Sequence, residues 1–461
     1  MSSVVHAALS RGLLLPLMEL QARARSSRRP SAIAFRSGLQ FRERSRGWTA
    51  DRKRDWVLGR LRTVVRRAAR DTPFYRALLG EEDFDPQSAF TFDDFARLPV
   101  LEREDLRRAD RALISEAIDP GLLTKDATGG STGEPTVVWV GPEERGWAAS
   151  GIEFGLTCAG APRGSGVGFL WGHHLDPVAR ETVRERVHDA VANVRWFDCF
   201  RLSSERLDEY HQALDQWQPR CVVAYASALA SLAEHVLERG YRPSYPERSF
   251  VTGAEKLLPG QRQQIERAFG KPVHERYGSR DVGPIGFQLD PDSSLSFAVD
   301  WPNLLVEPED HSGEPSILIT KLHADGMPMI RYRVGDMGRF LPDAEPGHPA
   351  LELLEVVGRD VDRIWLPDGR WVHPIEFPHL MKEHPVREYT VLQRADYAVQ
   401  VRVVPREGFG EESRLAILGT IRSNLPGIPV DVVVVDELAR TKASKLRHIV
   451  SEVDAPKAGT P

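Results

Sequence analysis

The stretch Thr128-Gly129-Gly130-Ser131-Thr132-Gly133-Glu134-Pro135-Thr136 is the part of this chain whose residue types most directly suggest chemistry. Glycines let the backbone turn tightly and bring N–H groups close to a ligand, and hydroxyls add donors. Together they form an anion-binding concavity suited to phosphates. The Walker pattern GxxxxGK[ST] is absent. Taken alone, the segment reads equally as a flexible Gly/Ser turn before the strand-like Val137–Val140. A second chemical feature is Trp171-Gly172-His173-His174, which follows the β-rich run Val167–Leu170. Two histidines with no third ligand nearby do not imply zinc.

These loops need strands and helices to hold them. Between about residues 120 and 360, β-rich runs (Thr136–Val140, Val167–Leu170, Cys221–Ala224, Ser316–Thr320) alternate with helical stretches (Pro177–Val191, Ser204–Gln216, Ala226–Arg239). Such alternation predicts an α/β architecture with buried sheets. Before it, Trp56, Leu58, Leu61, Val64, Val65 and Ala68 follow helical spacing over residues 51–80, ending before Pro73. A short helix capped near Thr91 should end at Leu98-Pro99. After Gly358-Arg359 the pattern changes. Tyr389–Gln393, Ala398–Val404 and Val430–Val435 read as strands and Glu412–Leu425 as a helix, enough for a small α+β domain.

With 461 residues, the chain is too long for one ordinary core. Its 61 basic and 66 acidic residues nearly balance, giving a net charge of -5, which argues against nucleic acid as the main partner. Cys158, Cys199 and Cys221 are odd in number and widely spaced. They read as reduced core residues of a cytoplasmic protein rather than a disulfide or metal framework. No apolar run approaches the length of a membrane span. Residues 1–50 hold nine arginines against Glu19 and Glu43, and read as a poorly ordered basic leader or a basic helix.

Five blocks, in order, resemble the adenylate-forming superfamily of acyl-CoA synthetases and adenylation domains, in its phenylacetate–CoA ligase branch. They are Thr128–Thr136; Tyr277-Gly278-Ser279-Arg280-Asp281; Met327–Asp336 (Met-Pro-Met-Ile-Arg-Tyr-Arg-Val-Gly-Asp); Gly358-Arg359-Asp360-Val361-Asp362; and Arg440–Arg447 around Lys445. Thr72–Arg76, Leu98-Pro99-Val100 and Thr252-Gly253-Ala254-Glu255 narrow the branch, and the likeness spans about residues 55–455. This sequence departs from the pattern at Arg280 (usually a hydroxyl residue), Asp281 (usually Glu), Val361-Asp362 (usually two acids) and Ser444 (usually Gly).

After the basic leader (1–50), the resemblance implies a large N-terminal ATP- and acid-binding domain (51–359) of packed sheets and helices, and a small mobile α+β domain (360–461). It implies that Thr128, Gly129, Gly130, Ser131, Thr132 and Gly133 hold the β- and γ-phosphates of ATP. Gly253, Ala254 and Glu255 would cover the adenine and acyl pocket, and Tyr277, Gly278 and Ser279 would line the adenine site. Asp336 would grip the ribose and Arg359 would contact ATP. Asp281 would ligate Mg2+, and Lys445, with Lys442 as its competitor, would meet the carboxylate and α-phosphate. Trp171, His173, His174, Tyr225 and Arg280 would border the acid. The implied reaction makes an acyl-adenylate from a small, by analogy aromatic, carboxylic acid and passes it to coenzyme A, in a monomer or homodimer. An amine or a separate carrier protein is the alternative acceptor, and a degenerate nucleotide-binding protein the alternative class.

Overall fold

The computed structural model describes residues 29–128, 136–171, 189–199, 202–292, 294–359, 364–367, 371–372, 381, 384–425, 427–438 and 449–453. The chain divides into two compact units, Met1–Val334 with Gly338–Val356, and Gly335–Met337 with Val357–Pro461. The architecture is the expected α/β one.

The first unit opens with helices α1 (Pro30–Ser45), α2 (Ala50–Asp71), α3 (Pro73–Glu81), α4 (Phe92–Ala96) and α5 (Arg103–Ala109). α2 buries Leu61, Val64, Val65 and Ala68 of the stripe read from the sequence, and Val57 besides; Trp56 and Leu58, also in that stripe, are only partly buried. Pro73 ends it only to start α3, because proline fits a first helical turn. Thr91 caps α4 through a reciprocal bond with Asp94.

Residues 30–45, placed in the basic leader by the sequence, form α1 and dock on α6 (Pro142–Cys158). Small residues allow the approach: a Cβ on Gly146 would lie 2.5 Å from that of Ala34, and one on Gly38 would meet Ser150. The arginine that the leader reading left in solvent is instead buried. Arg42 donates to both carboxylate oxygens of Asp300 at 2.7 and 2.9 Å, and to Ser150 Oγ at 2.6 Å. Phe41, Trp48, Trp56, Trp147 and Trp301 pack around that bridge. The partner, Asp300, is 258 positions away, so no local pattern could announce it.

Behind these helices runs an eleven-stranded sheet in the order β10-β11-β12-β13-β9-β8-β7-β6-β5-β3-β4. Strands β3 (Val167–Trp171), β4 (Val194–Asp198), β5 (Cys221–Tyr225), β6 (Ser249–Gly253) and β7 (Val273–Ser279) pair in parallel. Every residue of β5 and β6 is buried, as expected of a parallel sheet covered on both faces. Helices α7 (Ser204–Trp217), α8 (Ala226–Glu238) and α9 (Pro259–Phe269) supply part of that cover. From β7 onward, β8 (Gly283–Phe287), β9 (Phe297–Val299) and β13 (Glu352–Arg359) pair antiparallel. β10 (Leu304–Pro308), β11 (Ser316–Lys321) and β12 (Tyr332–Phe340) complete the sheet. β1 (Thr124–Thr128) and β2 (Thr136–Val140) form a separate ribbon.

The second unit is a four-stranded sheet, β18-β17-β16-β19, with α10 (Glu411–Asn424). Its strands are β16 (Val386–Gln393), β17 (Val399–Pro405), β18 (Val430–Val434) and β19 (Ile449–Ser451). Val391, Val401, Val403, Ile417, Ile421 and Val432 build its core. Gln393, fully buried, exchanges two hydrogen bonds with the backbone of Trp365 on the hairpin strand β14 (Ile364–Trp365), at 2.9 and 2.7 Å. Among the described residues, no helix is long and apolar enough to cross a membrane. Of the cysteines, Cys221 is in the core; Cys158 and Cys199 are only partly buried.

Two outcomes follow for stability. Removing one partner of a buried ion pair strands the other, so Arg42→Met should cost about 3–5 kcal/mol in urea unfolding, and adding Asp300→Leu should recover part of that loss. The second concerns His323, which stacks on Trp147 at 3.7 Å, donates from Nε2 to the Pro302 carbonyl and accepts at Nδ1 from Arg60. Burial holds its pKa down to about 4 from 6.5. The unfolded chain takes up this proton near pH 6.5 and the folded one only near 4, so stability falls as pH drops through that window. The loss should reach up to about 3 kcal/mol; urea midpoints that vary equally with pH in wild type and His323→Gln would refute it.

Candidate active site

Parallel α/β sheets gather ligand sites at the carboxyl ends of their strands. Here the β3–β5 ladder ends at the pair Leu170–Ala224, one step before Trp171, the last residue of β3, and Tyr225, the last of β5, and Tyr225 pairs with Gly253, the last of β6. One further step along the β6–β7 ladder brings Arg276 into the same row. The contacts follow this register. The Trp171 and Tyr225 rings meet edge to face at 4.4 Å, and the Arg276 guanidinium lies 4.7 Å from the centre of the Trp171 ring. Gly253 makes the space: a Cβ there would come within 2.8 Å of Arg276 Cγ and 2.9 Å of its Nε.

The loop after β6 closes one side of the row. Ala254 adopts a left-handed backbone, φ 67°, which few non-glycine residues do, and turns the chain so that Glu255 faces α8. Glu255 Oε2 accepts from the Ser227 N–H at 2.9 Å, in the first turn of that helix, where a carboxylate is favoured. Its Oε1 is buried with no hydrogen-bond partner among the described residues. Burial pushes the Tyr225 phenol up to about 12; Cys199 and Glu255 push the same way, and Arg280 and Arg276 oppose them. The phenol therefore stays neutral, with those four side chains around it.

On the opposite face of β7, Tyr277 lies edge-on to Phe297 at 6.2 Å and packs against the larger hydrophobic core. Gly278 permits the close approach of β8, since a Cβ would sit 2.6 Å from the Gly283 carbonyl. The Ser279 hydroxyl is buried without a hydrogen-bond partner among the described residues.

Asp281 is only 4% exposed. Its Oδ2 accepts from the Tyr332 hydroxyl at 2.7 Å and from Arg103 Nη2 at 3.2 Å. The expected metal ligand is thus a carboxylate whose charge Arg103 already balances. Mg2+ needs a carboxylate free to coordinate it, and with Arg103 in place Asp281 does not fit that role. Among the described residues, no group of three or more His, Cys, Asp or Glu side chains is arranged to hold a metal.

Trp171, Tyr225, Gly253 and Glu255 lie together at these strand ends, and the charge of Arg280 is felt at Tyr225. Asp336, buried and following Gly335 at φ 82°, belongs to the second unit. Thr128 ends β1 and Arg359 ends β13; their side chains, and all of Gly129–Gly133, His173, His174, Asp360–Asp362, Lys442 and Lys445, lie outside the described residues. Sequence reasoning missed Arg276, Arg103 and Tyr332. Arg276 had a usable signal: it immediately precedes Tyr277, and strand alternation puts it on the other face.

No protein-family model matches the chain. The phenylacetate-coenzyme A ligase of Pseudomonas putida is 23% identical over 330 residues, 68% of this chain and 72% of that protein. Its namesake from Escherichia coli is 23% identical over 408 residues, covering 82% and 89%. Among solved structures, a 2-hydroxyisobutyryl-CoA ligase with a bound acyl-AMP superposes with a TM-score of 0.69 at 20% identity, over 88% of this chain and 90% of that one. The fold is that of the adenylate-forming ligases. In sequence the chain is distantly similar to the phenylacetate–CoA ligases.

The Arg103–Asp281 pair is testable as a unit. In a double-mutant cycle of Arg103→Met and Asp281→Asn followed by urea unfolding, the coupling should be about 1–3 kcal/mol; additive effects would mean that the two side chains do not interact.

Proposed function

We propose that this protein activates a small carboxylic acid with ATP, forming an acyl-adenylate and pyrophosphate, and then transfers the acyl group to coenzyme A. The observation that carries the reading is the aromatic and cationic row at the carboxyl ends of β3, β5, β6 and β7, in a chain with the fold of adenylate-forming ligases. In the first step a carboxylate oxygen attacks the α-phosphorus, and the bond to the bridging oxygen of pyrophosphate breaks. In the second, the thiol sulfur attacks the acyl carbon, AMP leaves with the bonding electrons, and the thiol gives up its proton.

Both first-step reactants are anions, so the protein's part is neutralisation and alignment. The Trp171 and Tyr225 rings offer an apolar wall for the flat face of an aromatic acid. The neutral Tyr225 hydroxyl can donate a hydrogen bond without repelling a carboxylate. Glu255 locks its loop to α8 and so fixes the wall opposite. Motif position assigns ribose binding to Asp336, the γ- and β-phosphates to Ser131 and Thr132, and the charge that develops at the α-phosphate to Lys445, a mobile point charge.

The test is ATP–pyrophosphate exchange over a panel of aromatic and aliphatic acids. Lys445→Ala should lower exchange by roughly 100-fold or more, while Lys442→Ala retains most of it. Undiminished exchange in Lys445→Ala would refute the assignment. Exchange without thioester formation from coenzyme A would redirect the second step to an amine or a carrier protein.

A further inference from the structure

Three arginines with little exposure are matched by acids: Arg42 with Asp300, Arg331 with Glu307 and Arg262 with Glu275. Arg276 is different. It is largely shielded from solvent, stacked on Trp171 and seated over Gly253, yet no carboxylate pairs with it among the described residues. The adjacent Glu275 points to the other face of β7 and is taken by Arg262 and Gln288, at 3.2 and 3.1 Å. Among the described residues, the titratable groups whose fields reach Arg276 are Tyr225 and Cys221. Burial pushes both up to about 12, so neither is an anion at neutral pH. Burial also lowers the guanidinium to about 10, which leaves it charged under physiological conditions.

An unpaired cation in a low-dielectric site is unfavourable unless a ligand supplies the counter-charge. The guanidinium fork suits a carboxylate held by two hydrogen bonds. Which carboxylate it meets follows from strand alternation. Tyr277 and Ser279, the residues expected at the nucleotide, share one face of β7, and Arg276 is on the other, with Trp171 and Tyr225. That places the cation on the face away from Tyr277 and Ser279, where an acid lying along the aromatic row would present its far end.

We propose that Arg276 binds a second carboxylate of the substrate, so that the acid this protein activates is a dicarboxylic acid of which one carboxyl is adenylated and the other is held by Arg276. The inference rests on the adenylation reading above.

Matched probes separate the two carboxylates: benzoate against terephthalate, phenylacetate against 4-carboxyphenylacetate, and butyrate against succinate. Exchange with ATP and pyrophosphate is measured for wild type, Arg276→Met, which keeps the packing stem without the charge, and Arg276→Lys, which keeps the charge without the fork. Wild type should favour the dicarboxylate in at least one pair. Arg276→Met should lose roughly 30- to 1,000-fold in kcat/KM for it, and much less for the matched monocarboxylate. Arg276→Lys should fall between.

Equal losses for both members of every pair would overturn the proposal, since Arg276 would then meet the reacting carboxylate or the nucleotide. A wild-type preference for the monocarboxylates would overturn it as well. If no acid supports exchange, adenylation itself fails, and the subsite is still decided by binding. A rise in wild-type Tm with the dicarboxylates that Arg276→Met abolishes upholds the subsite, and its absence removes it.

Discussion

Strand β7 sets the arrangement of the candidate site. One edge pairs in parallel with β6 and the other antiparallel with β8, so it is the seam between the two halves of the sheet. Because side chains alternate across a strand, consecutive residues serve opposite faces. Arg276 joins the row of parallel-strand ends, Tyr277 packs towards the antiparallel half, and the chain beyond Ser279 delivers Asp281 to Arg103 and Tyr332. A one-residue slip of this strand would exchange every one of those assignments. The bulge after Tyr277 and the close approach of Gly278 to the Gly283 carbonyl both fall where the register has to hold.

Much of this was legible in the sequence because its causes are local. The apolar runs at Cys221–Ala224 and Ser316–Thr320, the helical stripe from Trp56 to Ala68, the Thr91 cap and the valine-rich strands of the second unit state their structures in their own residues. Motif spacing likewise pointed to the row at Trp171, Tyr225 and Gly253. What was not legible depends on distant partners. An arginine-rich opening reads as solvated until Asp300 is seen to neutralise Arg42, and Asp281 reads as a free ligand until Arg103, 178 positions away, is seen beside it. Arg276 falls between these cases: its face could be read from alternation, but its lack of a carboxylate partner among the described residues could not.

The same logic governs charge throughout the larger unit. Lys321 donates to Glu144 at 2.6 Å, and Asp325 caps α6 by accepting from the Glu143 and Glu144 N–H groups. Arg331, forced to φ 51°, is held there by Glu307 and by the carbonyls of Ala96 and Leu98. Backbone strain of this kind persists only when its surroundings over-determine it. These buried charges are satisfied within the scaffold itself, which makes a cation with no carboxylate partner among the described residues chemically informative.

The shortening of the usual Glu to Asp281 gains a physical meaning from the same contacts. A carboxylate one methylene closer to the backbone is held by Tyr332 and Arg103, in the core beneath β12. Its negative charge is spent there and not at the strand ends, where Glu255 is in turn committed to the α8 N-terminus. Arg276 and Arg280 act on Tyr225 from nearby. Among the described residues the balance at the row is therefore cationic, which suits the anionic substrates of the proposed reaction.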